Sequence, residues 1–290
     1  MRGPALIGGD LLSAVMAAAA PAGVAQPDFV NHGGPVIANP NVFTSFWGDA
    51  WTNDADHISR AERLNQFCQD LVNSPFMNVL TQYGVGAPGV FNNASFIGGV
   101  SGTLTDGDIK NTIQSSISNG NIPEPPAPFQ MCLIVYLAEG IGIEDTSDPQ
   151  NPLILCEPSN DSAFGYHNFF TTTAGNKFYY AVVPALDDNC LEASCSDDGS
   201  CSLHLAETQE QRQTQVTSHE FAEMTTDPEL NAWFGSNGEN GDICNGEADT
   251  ITVGANTWTV QRTYSKTDDI NTGGASFCLS QATNPIPPVQ

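Results

Sequence analysis

Two runs of consecutive apolar residues set the frame of this chain. "QMCLIVYLAEG" (130–140) and "KFYYAVVPAL" (177–186) are of strand length and strongly apolar, the pattern of strands covered on both faces. Val42 to Trp47, with β-branched and aromatic residues between Pro40 and Gly48, predicts a further strand, as does "GVFNNASFIGGV" (89–100). Between those two, Ile58, Leu64, Phe67, Leu71 and Val72 fall near one helical stripe, which Pro75 is expected to break. "TDGDIKNTIQSSIS" (105–118) predicts a shorter helix capped by Thr105 or Asp106. A stiff connector from Pro123 to Phe129 leads into the first apolar run. A long polar helix is expected over 207–224, and "DTITVGANTWTVQRTYS" alternates about a turn at "GAN", as a hairpin does. Helices and strands interleave without repeats or a long linker, so the expected fold is mixed α/β in one domain over 26–290.

Charge narrows the partners. Eight Lys+Arg against 33 Asp+Glu give this acidic protein a net charge of -25, which repels nucleic acid and anionic membranes. The excess comes from scarce lysine, only Lys110, Lys177 and Lys266, rather than from acidic blocks. Residues 1–25 read as a secretion signal: one arginine, an alanine-rich apolar stretch flawed by Asp10, and small residues Gly23 and Ala25 before the cleavage point. No other run approaches the roughly 18 apolar residues of a spanning helix, so a secreted, extracellular protein is expected. The eight cysteines lack zinc-module spacing and predict disulfides, with Cys244–Cys278 the favoured pair. In "CLEASCSDDGSC", at least one of Cys190, Cys195 and Cys201 must bridge elsewhere if all are oxidised. Sequons at Asn93 and Asn160 fit secretion.

The candidate chemistry lies in "TSHEFAEMTTDPELNAWFGSNGENGDICN" (217–245). His219 and Glu223 are one helical turn apart and share a face, while Glu220 is rotated roughly a quarter turn away. An imidazole nitrogen and a carboxylate oxygen can both ligate zinc, and Glu220 beside them can serve as general base toward water. A third ligand must come from outside the helix. Asp242, nineteen residues after Glu223 and beyond a Gly/Asn/Ser-rich loop, is the best candidate, fastened through Cys244. With five histidines and 33 acids in 290 residues, acids at both positions arise by chance roughly 0.06 times per chain. The competing reading is a solvated helix face.

"HEFAEMTTDPELNAWF" followed by "GDIC" resembles the EXORDIUM-like, or phosphate-induced, secreted protein family, as do "HGGPVIANPNVFTSFWG", "GYH" at 165–167, "YYAVVP" and "TVQRTYS" with Cys278, in that order. The resemblance implies an extracellular protein with a metallopeptidase-like site. The leading expectation is a zincin-like metalloprotease or related hydrolase acting on a peptide or protein substrate. Zinc, or another divalent metal, is held by His219, Glu223 and Asp242, with Glu220 as base. His167 is a rival third ligand or an oxyanion donor, and Tyr264 a hydrogen-bond donor to the transition state; core packing is the alternative for both. Asp227, before Pro228, is expected to end the helix. Glu229, Glu239 and Glu247 are spare acids, and Asp197 and Asp198 a possible calcium pair. A non-catalytic extracellular or cell-wall-associated protein with a structural metal site is the alternative function.

Overall fold

Five strands form one sheet, and the two apolar runs lie at its heart. The structure, a computed structural model, describes residues 25–125, 130–148, 152–156, 163–194, 203 and 206–289. The strands are β1 (Asn41–Trp47), β2 (Val90–Ile97), β3 (Met131–Leu137), β4 (Tyr166–Thr171) and β5 (Lys177–Val183). They lie in the order β2–β1–β3–β5–β4. The first four pair in parallel, and β4 runs antiparallel along β5 at the edge. Every residue of β3 is buried, as a parallel strand covered on both faces requires.

Helices supply the cover. Helix α1 (Ala55–Val72) ends before Pro75, and a short helix, Phe76–Leu80, restarts after it. Helix α2 (Asp106–Ser118) begins with a capping box between Thr105 and Asp108. Helix α3 (Gln209–Thr226) begins with a capping box between Thr208 and Gln211 and gives way at Asp227, as the following proline dictates. On β3, the Tyr136 hydroxyl reaches Thr217 of α3 (2.9 Å) and Cys68 of α1 (3.5 Å), so these two helices meet over one face of the sheet. Tyr166 and Tyr180 donate instead to Asp106 at the start of α2. Because side chains alternate along a strand, His167 turns the other way, toward α3.

A hairpin of β6 (Ala248–Val253) and β7 (Asn256–Gln261) turns at Gly254–Ala255 as expected and lays β7 along α3. Trp258 packs edge-on to Phe67 of α1, with the Arg63 guanidinium 4.1 Å from its ring centre. Beside this main core, Phe29, Tyr83, Trp233, Tyr264 and Phe277 form a second, aromatic cluster.

Two disulfides are present among the described residues, Cys156–Cys190 and Cys244–Cys278. The expected Cys244–Cys278 pair is thus found, and Cys190 does bridge outside its own loop. Not all cysteines are oxidised: Cys68 on α1 and Cys132 on β3 are buried free thiols. Cys195, Cys201, Asp197, Asp198, Asn160, most of the 1–25 signal and part of the Pro123–Phe129 connector lie outside the described residues. Asn93 falls within β2. No helix among the described residues is long and apolar enough to cross a membrane.

Candidate metal centre

Helix α3 is polar in composition yet buried from Arg212 to Thr226. β4 and β5 press on it from one side and β7 from another. His219, Glu220 and Glu223 are exposed by 1%, 0% and 0%. The reading of these residues as a solvated helix face is therefore overturned: an uncovered helix would turn its polar stripe to water, but here sheet and hairpin enclose it.

One group of donors forms where the helix meets the loop at 235–245. Glu223 Oε1 lies 3.2 Å from His219 Nε2, and Asp242 Oδ1 lies 3.8 Å from the same nitrogen. Asp242 arrives on a single 3-10 turn, Asp242–Cys244, whose last residue is pinned to Cys278. Its amide donates to Glu223 Oε1 (3.1 Å), and its Oδ2 accepts from the Glu239 amide (3.0 Å), leaving Oδ1 facing His219. Gly241 is needed for this approach. A Cβ there would sit 2.8 Å from both Glu223 Oε1 and His219 Nδ1. From the end of β7, the Gln261 amide contacts His219 Nδ1 (2.7 Å) and donates to the Gly241 carbonyl (2.9 Å).

A second group shares Glu223. His167 Nδ1 on β4 lies 3.7 Å from Glu223 Oε2 and 3.7 Å from Glu220 Oε2, and its Nε2 lies 3.7 Å from Glu239 Oε1. Gly165 lets the chain pass close to α3 before β4 begins, since a Cβ there would meet Glu220 Oε1 at 2.8 Å. Both His219–Glu223–Asp242 and His167–Glu223–Glu239 bring one donor atom from each residue to within 4.8 Å of the others.

The electrostatics are unusual for a protein interior. Glu220, Glu223, Glu239 and Asp242 are four buried acids facing two imidazoles. Burial pushes Asp242 up to about 8 and Glu239 well above the ordinary carboxylate range, and raises Glu220 as well. Burial opposes the charged form of His219, but Glu223 and its neighbouring acids prevail and raise it to about 10. Burial likewise works against ionised Glu223, yet His219 and His167 hold it below its usual value. His167 Nδ1, His219 Nε2, both Glu220 oxygens, Glu223 Oε2, Glu239 Oε1 and Asp242 Oδ1 are buried without a hydrogen-bond partner. Such orphaned groups cost roughly 1–3 kcal/mol each, more when charged. A cation would satisfy them together. Donors about 2.1 Å from a tetrahedral zinc ion are about 3.4 Å apart, close to the spacings of His219 with Glu223 and Asp242.

The remaining candidates are elsewhere. The Tyr264 hydroxyl donates to Asp269 Oδ2 at 2.6 Å inside the aromatic cluster. Glu229 accepts from Tyr179 and pairs with Lys177, while Glu247 pairs with Arg262. Asp227 receives the amides of Asn231 and Ala232, both at 2.6 Å, and so closes the helix end. Glu239 entered the sequence reading only as a spare acid, and Gln261 not at all. The flanking Gly238 and Gly241 were the available signal for Glu239, because small neighbours let a loop approach a crowded helix. No family model, curated protein or solved structure matches this chain.

Proposed function

We propose that this is a secreted zinc-dependent hydrolase acting on a peptide or protein, with zinc on His219, Glu223 and Asp242. The single observation that carries the reading is the set of buried donor atoms without partners, at ligand spacing, in an enclosure with more acids than imidazoles. Zinc bound there would supply Lewis-acid polarisation of a substrate carbonyl. Glu220 is the general base: both its oxygens are unpartnered, and burial raises its affinity for a proton above that of an ordinary carboxylate. His167 Nδ1 faces that carboxylate, 3.7 Å from its Oε2. Two carboxylates and one imidazole temper the electrophilicity of the ion, which favours slow or specialised turnover. Tyr264 has no part in this scheme.

Secretion is supported by the signal-like residues 1–25 and the two disulfides, which persist in oxidising compartments. Placement beside the EXORDIUM-like family rests on the order of shared motifs. A second reading, a metal that only braces the fold, is favoured by the enclosure. Of the cluster's acids, Glu239 and Asp242 keep only 9% and 5% side-chain exposure, and the others less. Substrate entry therefore requires part of this cover to open.

Metal analysis joined to a peptide-library digest separates the readings. The hydrolase predicts bound zinc and cleavage that Glu220→Gln abolishes with metal retained. Bound zinc without cleavage supports the bracing role, and folded protein that takes up no metal rejects both.

A further inference from the structure

Glu223 presents its two oxygens to two different histidines. Oε1 faces His219 Nε2 at 3.2 Å, and Oε2 faces His167 Nδ1 at 3.7 Å. We propose that the centre holds two divalent cations bridged by Glu223, the second seated among His167, Glu223 and Glu239. This rests on the metal-binding reading above and extends it from one ion to a pair.

Three observations lead to the second seat. His167, Glu223 and Glu239 each bring a donor atom within 4.8 Å of the others, as the first triad does. His167 Nδ1, Glu223 Oε2 and Glu239 Oε1 are buried and unpartnered, so a strand, a helix and a loop each bring an unsatisfied donor atom to this group. His167 Nε2 lies 3.4 Å from the Asp227 carbonyl, which can accept a proton carried there and so leave Nδ1, on the side of Glu223, free to ligate.

Charge points the same way. One divalent ion balances only two of the four buried carboxylates when all are ionised. Two ions balance all four with both imidazoles neutral. A carboxylate bridging through separate oxygens holds ions about 3.5–4 Å apart, the spacing of two-metal hydrolytic sites. One nitrogen and two carboxylates per ion suit zinc or manganese better than soft metals. Glu220 Oε2, 3.7 Å from His167 Nδ1, then borders the second ion.

The test is a Mn2+ titration of the metal-stripped full chain, followed by electron paramagnetic resonance and mass-spectrometric stoichiometry. Two equivalents with an exchange-broadened spectrum are expected. The near-isosteric Glu239→Gln should bind one equivalent with a resolved six-line signal, and His167→Asn should behave alike if the first variant folds poorly. One equivalent in the wild type, unchanged by either substitution, overturns the second seat and leaves the first standing. Loss of all manganese from a folded Glu239→Gln protein overturns it in favour of one shared ion. No uptake of manganese or zinc by folded wild type rejects the whole metal reading.

Discussion

The side-chain amide of Gln261 lies 2.7 Å from Nδ1 of His219. The same amide holds the Gly241 carbonyl, so the last residue of β7 grips both the helix and the loop that carries Asp242. The contact serves either state of the ring. A bare Nδ1 accepts the amide N–H; when Nε2 ligates a metal, Nδ1–H donates to the Gln261 oxygen after the amide turns over. Partners of this kind fix the ring and tune its basicity.

Gln261→Leu should accordingly weaken zinc binding about 10–100-fold while leaving every ligand in place. Competition titration against a chromophoric chelator measures it. An unchanged affinity would show that the ring is fixed by packing alone.

Gly241→Ala tests the close approach of loop to helix. The added methyl meets Glu223 and His219 at 2.8 Å, within a rigid contact, and crowding of this kind costs about 1–3 kcal/mol. A lower melting temperature and weaker metal binding should appear together. A silent substitution would mean that the loop yields freely.

Metal-free protein should lose stability as pH rises. Asp242 goes from an ordinary value of 3.8 to about 8 on folding, and His219 from 6.5 to about 10, so the native state binds more protons than the unfolded chain in those windows. Stability then falls with pH, with the contribution intact below the unfolded value and gone above the folded one. Glu223, held low, offsets part of this. Melting curves from pH 4 to 9 should slope downward without metal and flatten with zinc. An upward slope in the metal-free protein would contradict the assignment.

Burial pushes the Cys68 and Cys132 thiols up to about 12, which keeps them protonated and poorly nucleophilic. Peptide mapping after alkylation at pH 8 should find both unmodified in native protein and both modified in denaturant. Rapid native labelling of either would mean that the α1–β3 contact opens readily.

Much of the frame was legible because its causes are local. Met131–Leu137 is apolar at every position, Thr105 and Asp108 make a capping box within one turn, and Pro228 ends α3. The His219–Glu223 pair follows from helical periodicity alone. The burial of α3 did not, because its composition is polar and its cover comes from β4, β5 and β7, which the chain assembles at long range. The role of Glu239 and the placement of His167 were hidden for the same reason. His167 reaches the centre only because β4 pairs antiparallel with β5, a pairing that no nearby residue specifies.

The enclosure of the donors also governs exchange. With Asp242 buried on a turn tied to Cys278, an ion inside could depart only when this cover lifts. Its residence time would then follow the clock of backbone opening rather than the lability of individual coordination bonds, so extraction by excess chelator would level off at one limiting rate.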